Sequence, residues 1–179
     1  MKKALFGLMI TVSCFSFAQK VKVKKEIAYV DGKEYLKVIP DAAARACYNL
    51  TSLNGNDLFY LKHNSYNDPM NIDYKTNPNG TVGYFEVLSA DLNTVYFETH
   101  LTGCLMGCDR TENVVKMLFA SKVIKDDGTI DMDKLGILSK KAGFEYSRKR
   151  DELAKNSTGN TVIIQDTRPR NGFNISIGR

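Results

Sequence analysis

Tight-turn dipeptides punctuate this chain between segments in which bulky and polar residues alternate, and that punctuation commits it to antiparallel pairing. Asp31-Gly32 separates residues 23–30 from 34–39, and Asn54-Gly55 separates 46–53 from 57–63. Both dipeptides tolerate the positive φ that a two-residue hairpin turn demands, and the flanking runs have the period of strands. A third hairpin is predicted from residues 82–88 and 94–101 around Ala90-Asp91-Leu92-Asn93. Adjacent rings at Tyr84-Phe85 and Tyr96-Phe97 are expected to split between the two sheet faces, one inward and one outward.

Helical periodicity begins only after Cys108. Asp109 stands three residues before Glu112, the spacing of a reciprocal helix start, and Val114, Val115, Leu118, Phe119 and Val123 form one apolar stripe. A second helix is predicted over residues 131–142, with Asp131 and Asp133 at its positive end and Lys140 and Lys141 at its negative end. Gly143 suits a left-handed cap, with Phe144 folding back. Residues 125–131 look like a calcium loop, but the alignment puts Val123, Lys125 and Lys134 at ligand positions, so the segment reads as a turn joining two helices. Strands first and helices later predict an α+β fold, a mostly antiparallel sheet of about six to eight strands built from hairpins, with two helices packed on one face.

The chain divides into a leader, a body and a tail. Lys2 and Lys3, an apolar run over residues 4–12 and the exit Ser16-Phe17-Ala18 have the layout of a cleavable signal peptide at 1–18. The run is too short to cross a bilayer as a helix. Cys14 offers an alternative, a lipoprotein anchored through that cysteine, although Thr11 stands where such boxes carry Leu. Residues 19–155 form the α+β domain. Residues 156–179 form a basic hairpin or arm, with strand character at 161–165 and 173–177 behind a linker at 156–160.

Composition places the body among folded domains: 43% of the residues are hydrophobic and 25% charged. From Lys140 onward nine basic residues face four acidic ones, within a chain whose net charge is +5. Such an end is drawn to anionic surfaces, so peripheral membrane association stays open. The charges are interrupted by acids and have little aromatic interleaving, so no nucleic acid is expected.

Export would place Cys47, Cys104 and Cys108 in an oxidising compartment, and all three are disulfide candidates. His100, Cys104 and Cys108 stand at intervals of four, a ligand set for zinc or copper if helical. The C-x-x-x-C pair resembles the copper-site motif of thioredoxin-like copper-assembly proteins, with Asp109 where those carry proline. Gly103 and Gly107 disfavour the aligning helix, so a local disulfide or buried thiols is the reading preferred.

A polar stretch over residues 64–80, rich in asparagine and containing Pro69 and Pro78, reads as a long surface loop. His63, Tyr66, Asp68, Asp73 and Tyr74 are its binding candidates. His63 and His100 are the chain's two histidines, and neither lies in a catalytic signature, so no enzyme activity and no cofactor are expected.

The leader and hairpin-rich body resemble the many small exported proteins of Gram-negative bacteria, a likeness that carries no residue across. The expectation is an exported non-catalytic envelope or secreted protein, periplasmic or released, that binds an envelope macromolecule and is open to homo-oligomer formation. The alternative is a periplasmic metal-binding or thiol-redox protein using His100, Cys104 and Cys108.

Overall fold

A computed structural model describes residues 20–101 and 110–158. The leader with Cys14, the residues Cys104, Cys108 and Asp109, and the strands expected at 161–165 and 173–177 lie outside the described residues.

Seven strands form one antiparallel sheet in chain order: β1 (Val21–Lys24), β2 (Ile27–Val30), β3 (Lys33–Pro40), β4 (Tyr48–Thr51), β5 (Asp57–Asn67), β6 (Thr81–Ser89) and β7 (Val95–His100). Turn sterics account for the order. Asp31 and Gly32 take φ of 51° and 82°, and Gly55 takes 92°, so two expected turns sit where the left-handed region is needed. A further turn is built from Lys25 and Glu26, at φ of 47° and 65°. Residues 23–30 were expected to run as one strand, and this turn cuts them into β1 and β2. Neither residue favours positive φ, at a cost of about 1–2 kcal/mol each, so tertiary contacts set the turn rather than its own chemistry. Val21 and Val23 supply such contacts by packing against the core.

β5 is longer than expected. It runs on through Asn67 and pairs with β6 from Phe59↔Ser89 to Asn67↔Thr81, so the connecting loop shrinks to residues 68–80. Polar residues at 64–67 are compatible with a strand because Asn64 and Tyr66 share the sheet face away from the main core.

That core lies on one face. Ala28, Val30, Leu36, Val38, Leu50, Leu61, Phe85, Val87 and Phe97 meet Val114, Val115 and Leu118 of helix α1 (Glu112–Ala120) and Leu135 and Leu138 of helix α2 (Met132–Ala142). Full burial of each such large side chain contributes about 1.5–3 kcal/mol, and these residues are all buried. The expected α+β architecture with two helices on one face is therefore present.

Local chemistry explains the helix ends. Asp131 caps α2 by accepting the Lys134 N–H at 3.2 Å, and Gly143 ends it at φ 69° and ψ −160°, a conformation suited to glycine but outside the left-handed helical region expected for the cap. Phe144 does not fold back; it is exposed. Glu112 is the first residue of α1, which places it wrongly for the reciprocal start. Its carboxylate accepts the Val23 N–H at 3.4 Å instead, joining α1 to β1. The Lys125–Asp131 region is a turn, with Ile124 bridged to Ile130 and Asp127 accepting the Thr129 N–H at 2.8 Å.

A third helix, α3 (Glu145–Thr158), was not expected. It runs through residues 156–158, which the sequence placed in a linker. Its half-buried positions are Tyr146, Ser147, Lys149, Arg150 and Leu153, spaced as a helical stripe, but two of the five carry charge. The stripe covers the second sheet face. Tyr84 points there because its neighbour Phe85 faces the core, and α3 buries Tyr84 completely by stacking Tyr146 on its ring at 5.4 Å. Tyr84 and Phe85 do face opposite ways, yet neither is exposed.

Candidate functional site

The loop between β5 and β6 is tied at its base by Asp68, whose side chain is 0 % exposed. Its carboxylate accepts the Met70 N–H at 2.9 Å and the Asn71 Nδ2–H at 2.8 Å, while Lys149 Nζ on α3 stands 2.6 Å from Oδ2. Asp68 N–H donates to the Gly80 carbonyl at 2.9 Å, closing the loop between its first and last residues. The carboxyl is held below the usual range, first by the bond from Lys149 and then by the Met70 amide. Its ordinary sequence neighbours explain half of this. Asp68-Pro69 starts a short 3-10 turn over Pro69–Asn71, in which aspartate caps the free amides and proline needs no partner.

Further along, the loop braces itself. Asp73 accepts the Lys75 N–H at 2.9 Å and the Thr76 hydroxyl at 2.7 Å, which lowers its pKa, and exchanges two backbone bonds with Asn77. Asn77 donates its side-chain amide to the Asn71 and Thr81 carbonyls, both at 3.1 Å, and accepts the Thr81 N–H at 2.9 Å. Gly80 is at φ 61°, and a Cβ there would lie 2.2 Å from the Asp68 carbonyl oxygen. Only glycine fits.

This bonded frame holds apolar side chains out in water. Met70 is 88 % exposed, Tyr74 89 % and Ile72 42 %. Single exposed apolar residues are ordinary, but here three stand within five positions of one braced loop.

Behind the loop lies a cleft of about 300 Å³, lined by Tyr66, Asn71, Val82, His100, Tyr146 and Lys149 together with Glu145. Its rings form a ladder. Tyr66 meets Tyr84 edge-on at 6.1 Å, Tyr84 stacks on Tyr146, and Tyr146 stacks on His100 at 5.9 Å. Arg150 donates to the Tyr84 hydroxyl at 3.2 Å, which satisfies that buried group. Glu98 sets the helix in place. Buried to 3 % exposure, it accepts the Tyr146 and Ser147 N–H groups at 2.9 and 3.1 Å, and its own N–H donates to the Gly143 carbonyl.

The sequence candidates are thus distributed unevenly. Tyr66, Asp68 and His100 meet around the first turns of α3, while Asp73 and Tyr74 occupy the loop tip. His63 stands elsewhere. It pairs with Phe85 on the core side of β5, its ring is edge-on to Phe85 at 6.2 Å, and its N–H donates to Cys47 Sγ at 3.5 Å. Burial, with Arg110 adding to it, lowers the His63 pKa. No carboxylate of the loop reaches it. Cys47 is buried and forms no disulfide among the described residues, and its two candidate partners lie outside them. Among the described residues no three His, Cys, Asp or Glu side chains converge on a metal position, and no helix is long and apolar enough to cross a membrane.

Sequence reasoning missed Glu98, Tyr146, Lys149, Arg150, Asn77 and Gly80. The spacing of Tyr146, Lys149, Arg150 and Leu153 was the available signal for α3. Nothing local couples Lys149 to Asp68.

No protein-family model matches the chain, and no significant match was found among curated proteins or solved structures.

Proposed function

We propose that this chain is an exported, non-catalytic protein that binds a protein partner of the cell envelope, with the 68–80 loop as its recognition element. The observation that carries the reading is the exposure of Met70 and Tyr74 at 88 % and 89 % on a loop whose base is tied by an ion pair between buried Asp68 and the half-exposed Lys149. A loop backbone held in one arrangement before binding loses little entropy on contact, which favours recognition over solvation. The cleft behind the loop extends the contact with stacked rings and the charges of Glu145 and Lys149.

Two further points support it. The leader composition at 1–18 is the basis for export. His63 and His100 lie on opposite sheet faces, and neither is hydrogen-bonded through its ring to a nucleophile or carboxylate among the described residues, which speaks for binding over chemistry.

A photo-crosslinking residue in place of Tyr74 tests this in the native host. One discrete adduct with an envelope protein is expected, lost in a Met70→Ser background and absent from a crosslinker at Lys122. Adducts that are diffuse, or the same from both positions, overturn it.

A further inference from the structure

The sheet edge opposite β7 is β1, and its chemistry repeats along the strand. Asp31 N–H donates to the Lys20 carbonyl at 3.0 Å, which fixes the phase of the ladder. Lys20, Lys22 and Lys24 therefore aim their backbone groups at β2, and Val21 and Val23 aim theirs outward. One outward group is filled: Val23 N–H meets the Glu112 carboxylate at 3.4 Å, the long end of a hydrogen bond. The Val21 N–H and the Val21 and Val23 carbonyls face no strand among the described residues.

The side chains follow the same rhythm. Val21 and Val23 pack against the core, so the three lysines line up on the other face, all exposed. With Tyr29 and Gly32 they line a groove of about 440 Å³. None of them is in an ion pair among the described residues.

We propose that β1 is a docking edge for an extended acidic segment of a partner protein, which joins the sheet as a further strand. Charge complementarity selects the occupant. A second copy of the chain paired through β1 would set lysine against lysine, the arrangement by which edge strands deter their own kind. A strand with Asp or Glu at alternate positions places its carboxylates beside Lys20, Lys22 and Lys24 and its backbone on Val21 and Val23. Glu112 stands where that strand's carbonyl bonds Val23, so its carboxylate is a plug that the incoming backbone displaces. This surface is separate from the 68–80 loop and does not depend on it.

The test uses the full-length chain and a soluble seven-residue peptide of alternating Glu and Thr, with a Lys–Thr peptide as control. Saturable binding of the Glu peptide is expected, weakening with added salt, together with slowed hydrogen exchange at the Val21 and Val23 amides. Replacing the three lysines by Gln weakens it by about tenfold, and by Glu transfers preference to the Lys peptide. Glu112→Ala tightens it. Binding without protection at Val21, equal binding of both peptides, lysine-dependent binding to anionic vesicles but not to the peptide, or a symmetric dimer through β1 each overturns the proposal.

Discussion

Lys149 Nζ lies 2.6 Å from Asp68 Oδ2, so the last described helix is tied to the base of the 68–80 loop by one ion pair between residues far apart in the chain. Asp68 is buried while the lysine stem remains partly in water. Removing the cation leaves the buried carboxylate without its counter-charge. Lys149→Met is therefore expected to raise hydrogen exchange at the Asn71, Asn77 and Gly80 amides by about tenfold or more, with the β2–β3 amides unchanged. Equal exchange across the molecule would mean that the pair does not brace the loop.

The same brace has a defined acid limit. The Asp68 carboxyl is lowered by the bond from Lys149 and by the Met70 amide, so its contribution is complete above the unfolded aspartate value and is lost as pH falls through the lower folded one. Loop protection, corrected for intrinsic exchange, is expected to hold from pH 7 to 5 and to fail only below about pH 4. Loosening between pH 7 and 5 would assign the brace to a histidine instead.

Gly80 and Gly55 both have positive φ, but only Gly80 is hemmed in. A Cβ at Gly80 meets the Asp68 carbonyl oxygen at 2.2 Å, and at Gly55 it meets nothing within 4 Å. Gly80→Ala is expected to cost about 2 kcal/mol or more and Gly55→Ala about 1 kcal/mol, measured by urea unfolding. Equal losses would show that the loop yields at its base.

Legibility in the sequence followed the range of the forces involved. Asp31-Gly32 and Asn54-Gly55 announced their turns because backbone sterics act within two residues, and Asp131 and Gly143 bounded α2 by equally local capping. Lys25-Glu26 did not, since its positive φ is imposed by contacts of the strands on either side. The third helix escaped notice because its inward stripe uses the stems of Lys149 and Arg150 and the ring of Tyr146 instead of aliphatic residues. Polar content alone marked residues 64–80 as a loop and so singled out Asp68, Asp73 and Tyr74. It also extended the loop four residues into β5, where pairing with β6 decides the structure. His63 and Tyr66 were grouped by proximity in sequence, yet strand alternation sends them to opposite faces.

Tyr35 offers a test of packing away from the loop. A bulge opposite Ala28 and Tyr29 turns its ring toward α1, where it meets Phe119 edge-on at 5.0 Å, and its hydroxyl is buried without a hydrogen-bond partner among the described residues. Burial pushes its pKa up. Tyr35→Phe removes an unsatisfied group while keeping the ring, and is expected to stabilise the fold by about 1 kcal/mol in urea melts. A loss of stability would reveal a bond that the hydroxyl makes.

Crosslinking from position 74 in the native host, compared between the otherwise unchanged chain and Lys149→Met, addresses the central claim most directly, because the second variant keeps the remaining loop side chains and removes the brace together with one charge of the cleft. The partner adduct is predicted to form in the first and to fall severalfold in the second. An undiminished adduct in Lys149→Met, or none in either, would contradict a recognition loop held ready by Asp68 and Lys149.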